Sequence, residues 1–139
     1  GDMMAVTDKL EQGWAEFAYQ CAAKGSALDK KKEYKQYVKK LPMLIKTNGL
    51  GAAVAFFFSK KNDDQSKAGY AYKEIYEQLN EWLKNAESVN WMLNSDKPLV
   101  QSITELPSEQ YRALTIETLA FLNWLRRFAE GMIEGEAEE

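Results

Sequence analysis

The sequence predicts an all-α fold, a single-domain bundle of about five to six helices. Its apolar residues recur at steps of three and four in several long segments, which is the spacing of a helix that buries one face. None of these segments shows the apolar and polar alternation of a half-buried strand. A length of 139 residues with 45% apolar content fits one domain with an ordinary core.

The first helix is predicted from Met3 to about Ala23. Gly25 and Ser26 follow it and are typical of a helix end. Its buried face is predicted to hold Val6, Leu10, Trp14, Phe17 and Cys21.

A second helix is predicted over residues 30–46, with two opposed faces. Pro42 lacks a backbone N–H, so we expect a kink or a fresh helix start near Leu41. One arc carries the apolar side chains Tyr34, Tyr37, Val38, Leu41, Leu44 and Ile45. The opposite face carries a lysine stripe formed by Lys31, Lys32, Lys35 and Lys39, with Lys46 added if the helix keeps its phase past Pro42.

Two further helices follow the stop signal Asn48-Gly49. Residues 50–61 are apolar nearly all round and fit a buried helix or a buried strand. We predict a helix because alanines are frequent there and no partner strands are present. Residues 62–69 are polar and predict a mobile loop. Residues 72–86 are again amphipathic, with an outer face of Lys73, Glu74, Glu77, Glu81 and Lys84.

The last third of the chain predicts a short helix from Pro98 to about Glu105, then a long one that opens at Pro107 and extends to Met132. We expect the long helix to be the most buried. The predicted domain therefore covers residues 3–133, and residues 134–139 form an acidic disordered tail.

Composition excludes several classes of protein. One cysteine cannot form an internal disulfide, and the longest apolar stretch, residues 52–58, is far short of a bilayer span, which together predict a cytoplasmic protein outside any membrane. The chain has no histidine, so the catalytic triads and most zinc sites that need an imidazole are excluded.

Charge is strongly segregated along the chain. Residues 24–61 hold ten lysines against Asp29 and Glu33, although the whole chain has a net charge of −3. A row of lysines on one helix face can release the counterions of a nucleic-acid backbone whatever its base sequence. Lysines on a helix surface also serve simply to keep it solvated, so charge alone leaves both interpretations open.

Other candidate residues favour structural roles. Glu74, Glu77 and Glu81 share a helix face that can bind a divalent cation but more often is merely solvated, and we assign no metal and no cofactor. Cys21 lies on an apolar face without a base to activate it, so we assign no catalytic residue. Arg126 and Arg127 can contact phosphate, but pairing with Glu130 is the favoured interpretation.

Three segments together resemble the small helical subunit of the Cmr complex, the type III-B CRISPR effector. They are YKQYVKKLPMLIKTNGLGAAVA at residues 34–55, YKEIYEQLNEWL at residues 72–83 and YRALTIETLAFLNWLRRFA at residues 111–129. The order of a lysine-rich helix, KLP, NGL and an apolar helix is fairly specific, and the LAFLNWLRRFA ending adds to it. The similarity spans most of residues 3–133 and is weakest over residues 87–106.

The resemblance implies a non-enzymatic all-α subunit that stacks beside the backbone subunits of a ribonucleoprotein filament in prokaryotic antiviral defence. Its implied partners are guide RNA and target RNA, the Cmr backbone subunits and neighbouring copies of itself. The residues that it marks as facing RNA are Lys31, Lys32, Lys35, Lys39, Lys40 and Lys46. The alternatives are a helical protein–protein interaction module without RNA contact, and a divalent-metal enzyme built on the face from Glu74 to Glu81.

Overall fold

The computed structural model describes the backbone of residues 2–137 and the side chains of residues 13–137. A 3-10 turn at Asn90–Met92 separates the fourth and fifth helices, and no strand forms within residues 2–137. The predicted all-α fold is therefore confirmed. The six helices are α1 (Asp2–Ser26), α2 (Lys31–Asn48), α3 (Leu50–Lys60), α4 (Gly69–Asn85), α5 (Leu99–Thr104) and α6 (Ser108–Met132).

The centre of the bundle is α2, which packs against α1, α3, α4 and α6. Its apolar arc is buried as predicted at Tyr34, Val38, Leu41 and Ile45. The expectation that the last helix is the most buried is wrong, since nine of the 17 residues of α4 are buried against seven of the 25 in α6. The reason is that α6 packs mainly along α1 and α2 and leaves its other side, including Ile116, in solvent.

Helix α2 continues through Pro42 as one element, without a second start at Leu41. Proline removes one backbone hydrogen bond, but Leu41 and Ile45 on either side of it are both buried and hold the helix in place. The turn from α2 into α3 occurs at Gly49, whose φ of 91° is unfavourable for residues with a side chain. The prediction of a helix rather than a strand at residues 50–61 is confirmed.

After α6 the chain continues as a non-helical C-terminal segment, residues 133–137. Ile133 is buried at its start. Of the predicted acidic tail, residues 138 and 139 lie outside the described residues. Among the helices that the structure describes, none is long and apolar enough to cross a bilayer.

Candidate nucleic-acid interface

Four of the six lysines marked as facing RNA are exposed along α2: Lys31, Lys32, Lys39 and Lys46. They lie on the side of the helix opposite the buried arc, as the helical period of the sequence predicts. Within the described part of the chain, none of the four forms an ion pair with a carboxylate. Their ammonium groups are therefore accessible to an anionic ligand.

Lys35 does not belong to this exposed face, because its side chain is only 7% exposed. Its ammonium group donates to the backbone carbonyls of Ile133 and Gly135 and lies 3.7 Å from the Glu136 carboxylate. A helical wheel gives the direction of a side chain but not what packs on it, and here the C-terminal segment covers Lys35. The predicted stripe is thus interrupted at its middle.

Lys40 lies at the edge of an aromatic cluster between α2, α3 and α4. Its ammonium group donates to the Tyr72 hydroxyl at 3.1 Å. It also stands 4.9 Å from the ring centre of Phe56 and 5.6 Å from that of Tyr37, which is cation–π geometry. Lys40 is half-buried, and its ammonium group is already engaged by these contacts within the protein.

Two of the exposed lysines, Lys39 and Lys46, line a groove of about 480 Å³ between α2 and α6. Two amide side chains, Gln36 and Asn123, line it together with apolar Met43 and Leu119. Its cationic lining comes from both helices: Lys39, Lys40 and Lys46 from α2 and Arg126 from α6. The groove therefore places positive charge from two elements around one open channel.

Arg126 is a groove residue for which the sequence left phosphate contact as the less favoured interpretation. It was expected to pair with Glu130, yet neither it nor Arg127 forms an ion pair with any carboxylate that the structure describes. Its guanidinium instead lies 3.5 Å from the amide oxygen of Asn123. Leu119, Asn123 and Arg126 share one face of α6 by their spacing, but only the packing of α6 on α2 shows that this face meets the lysines.

The alternative metal site on α4 cannot include Glu74 as an exposed ligand. Glu74 is 3% exposed, so the predicted outer position is wrong. Its carboxylate pairs with Lys24 at 3.1 Å and accepts a hydrogen bond from Gln78. Glu77 and Glu81 stay exposed, and no group of three potential ligands within the described side chains is arranged to hold a metal ion.

Cys21 is buried in a polar network that joins α1, α2 and α4. The backbone carbonyl of Cys21 accepts a hydrogen bond from Gln78 Nε2 at 3.1 Å, and the Tyr34 hydroxyl, which donates its one proton to Gln78 Oε1 at 2.6 Å, lies beside it. Burial, followed by the charges of Glu81 and Glu74, raises the pKa of the Cys21 thiol to about 12. A thiol held in its neutral form is a poor nucleophile, so the network is structural.

The groove between α2 and α6 has the chemistry of an anion-binding surface. Ammonium and guanidinium groups bind phosphate oxygens, and amides add neutral hydrogen bonds. Among the described residues, Glu136 is the one carboxylate that lines the groove. The chain has no histidine that could act there as a general base. The arrangement fits the binding of a polyanion better than a reaction.

Comparisons with known proteins identify the family of the chain. The sequence model of a family described as CRISPR-associated protein (Cas_Cmr5) matches residues 10–132. A curated relative, the CRISPR system Cmr subunit Cmr5 of Thermus thermophilus, is 29% identical over 125 residues, which cover 88% of this chain and 95% of the relative.

The fold is also similar to that of a solved structure. A crystal structure of a CRISPR-associated Cmr5 family protein from Thermus thermophilus superposes with a TM-score of 0.71 at 29% sequence identity. The superposition covers 90% of this chain and 97% of the other.

Proposed function

The chain belongs to the CRISPR-associated Cmr5 family, and we propose that it is a non-catalytic, RNA-contacting small subunit of an RNA-guided, RNA-targeting Cmr effector complex of type III-B. In this role it lines the groove that holds guide and target RNA beside the backbone subunits. The Thermus thermophilus relative is itself named a subunit of the Cmr system.

The observation that carries the proposal is the basic groove between α2 and α6. Lys39 and Lys46 approach it from one helix and Arg126 from the other. The rest of the chain, outside residues 24–61, is acidic, with 19 Asp and Glu against eight Lys and Arg. Repulsion elsewhere and attraction at the groove orient a nucleic-acid backbone toward this side.

The proposed RNA-facing residues fall into two groups. Lys31, Lys32, Lys39 and Lys46 are exposed and contact phosphate directly, together with Arg126. Lys35 and Lys40 remain in the proposed set, but each must first give up the contacts that now hold its ammonium group.

A charge-removal experiment tests the groove. The variant K39A/K46A/R126A removes three of the four groove cations and no buried side chain, and it leaves Lys40, whose ammonium group is held by the Tyr72 hydroxyl. If each group meets about one phosphate, the slope of log affinity against log salt for single-stranded RNA shrinks by about 2, from a coefficient of roughly 0.7 per contact. Binding is measured by fluorescence anisotropy of a labelled oligouridylate across a salt series.

A matched control removes the same charges elsewhere. Lys61, Lys67 and Arg112 are exposed and lie outside the groove, so K61A/K67A/R112A changes net charge identically. We expect it to keep nearly the full salt slope. If both variants bind RNA like the unmodified chain, the lysines only solvate the surface and the protein–protein interaction module becomes the better explanation.

The absence of catalysis is tested separately. The purified chain should leave RNA and DNA intact with or without Mg²⁺ or Mn²⁺, because the groove pairs no acid with a base. Cleavage that persists through further purification and disappears in Glu77→Gln would instead support the metal-enzyme alternative.

Exposed apolar side chains support a proposal on assembly with other subunits. Outside the groove, Trp91 is 65% and Ile116 64% exposed, and such large apolar side chains are frequent at protein contacts. We propose that they contact the Cmr backbone subunits or neighbouring copies of this chain in the cytoplasm. A pull-down from cells that carry the whole system should recover the backbone subunits and guide RNA, and loss of both would count against this assignment.

A further inference from the structure

The C-terminal segment, residues 133–137, is fixed against the lysine-rich face of α2. Ile133 is 2% exposed and packs into the core. The two carbonyls that Lys35 binds belong to Ile133 and Gly135, so one buried ammonium group holds the backbone of the segment at two points. This is a built contact between elements that are far apart in sequence.

The path of the segment brings it over the proposed RNA surface. Gly135 has a φ of 84°, which turns the chain, and a Cβ placed on it would lie 3.1 Å from Lys32 Cε. The next residue, Glu136, lines the same groove as Lys39 and Arg126. The segment therefore lies beside Lys32, Lys39 and Arg126, the cations that we propose bind the RNA phosphates.

The negative charge of the segment makes it chemically similar to the phosphate backbone of RNA. Glu134 and Glu136 are exposed carboxylates, and the sequence adds Glu138 and Glu139. Lysine and arginine bind carboxylate and phosphate oxygens through the same donors. Closely spaced glutamates and a row of phosphates therefore compete for one set of cations.

We propose that the acidic C-terminal segment is an internal competitor that occupies the end of the α2–α6 groove and is displaced by RNA. This inference rests on the proposed function, since it assigns the same groove to RNA. The segment lowers the affinity of the free subunit for any polyanion. A guide–target duplex held by neighbouring subunits gains from its high effective concentration and displaces the segment.

Displacement has a second consequence for Lys35. Helical phase places Lys35 on the same side of α2 as the exposed lysines, and the oxygen atoms that its ammonium group contacts all belong to the segment. When the segment leaves, Lys35 loses its three oxygen partners and joins Lys31, Lys32 and Lys39 on one surface. The competitor therefore hides one phosphate-binding cation and places the Glu136 carboxylate in the same groove as Lys39 and Arg126.

The test neutralises the two described glutamates in the full chain. We expect E134Q/E136Q to bind a fluorescein-labelled oligouridylate about three- to tenfold more tightly than the unmodified chain at low salt, with a difference that shrinks as salt rises. The control E81Q/E109Q makes the same charge change at two exposed glutamates outside the groove. It should change the affinity less than about twofold by the small effect of distant surface charge.

A second measurement reports on the segment itself. The amide resonance of Gly135 in the labelled full chain should move toward its unfolded position when oligouridylate is added, while that of Gly51, at the start of α3, stays in place. An unchanged Gly135 resonance at saturating RNA would overturn displacement.

The outcomes separate this inference from the proposed function. If the unmodified chain binds RNA and E134Q/E136Q binds no more tightly than E81Q/E109Q, internal competition is wrong and RNA contact stands. If only E134Q/E136Q binds, both are supported. If neither binds at low salt, the RNA-contact assignment fails and the inference fails with it.

Discussion

Tyr34 shows how a single side chain joins three helices. Its ring is fully buried and packs so closely on Gly25 that a Cβ there would lie 2.1 Å from the ring. Its hydroxyl donates to Gln78 Oε1 at 2.6 Å, and Gln78 in turn donates to the Cys21 carbonyl. In the sequence Gly25 marks only a helix end, whereas in the structure it makes room for this ring.

Removing that hydroxyl tests the network. Tyr34→Phe leaves the Gln78 oxygen without its donor in a buried place, so we expect the free energy of unfolding to fall by about 1–3 kcal/mol. Tyr19→Phe is the matched control, because Tyr19 is 55% exposed. Urea unfolding followed by circular dichroism compares the two, and equal losses would contradict a stabilising role for the network.

The Cys21 thiol provides a test by pH. Its pKa is raised from 9.0 to about 12, first by burial and then by nearby glutamates. Above pH 9.0 the unfolded thiol ionises while the folded one does not, so its contribution to stability is present below pH 9.0 and is lost as pH rises toward 12.

We therefore expect the folded chain to react slowly with iodoacetamide at neutral pH and readily in denaturant. Cys21→Ala should unfold with a shallower loss of stability above pH 9.0 than the unmodified chain. Rapid alkylation of the folded chain would show that the thiol is accessible to solvent and contradict its burial.

At the scale of elements, the helix pairs are held by a few fully buried apolar side chains. Leu122 is completely buried on α6, whose main packing partners are α1 and α2. Leu122→Ala should lower the free energy of unfolding by about 2–5 kcal/mol through lost burial and the cavity left behind. Ile116→Ala on the same helix is the control, since Ile116 is 64% exposed and should cost little. Thermal melting that separates the two variants by less than the error would contradict the orientation of α6.

The helices were predictable from the sequence because each is long and carries one apolar face. The period also places the exposed Lys31, Lys39 and Lys46 correctly. It fails at Lys35 and at Glu74, both of which are polar residues that a distant part of the chain covers. Periodicity within a helix contains no information on such tertiary partners, which is also why Arg126 was not assigned to the groove.

At the scale of the whole molecule, the important property is the separation of charge. Lysine-rich residues 24–61 contribute the cations of α2, and α6 adds Arg126 across the groove, while the net charge stays at −3. We therefore expect a polyanion to be attracted to the α2–α6 side of the molecule and repelled elsewhere. The modest number of groove cations predicts weak binding by the free subunit, with avidity supplied by the neighbouring subunits of a filament.

This separation of charge predicts that the groove does not distinguish between bases or between RNA and DNA. Ammonium and guanidinium groups recognise phosphate charge and carry little information on base or sugar. We expect oligouridylate, oligoadenylate and single-stranded DNA of equal length to bind the free chain within a few-fold of one another, and K39A/K46A/R126A to weaken all of them by the same factor. Competition anisotropy at fixed salt measures this.

A strong preference for RNA over DNA would point to the amide side chains of the groove. Gln36 and Asn123 are the two amides that line the groove, and amides can recognise a ribose hydroxyl or a base edge. If RNA is strongly preferred over DNA and Q36A/N123A abolishes that preference while keeping the salt slope, then the amides select the strand and the cations only attract it. If the preference survives Q36A/N123A, recognition lies outside this groove, and the charge pattern alone does not locate the RNA.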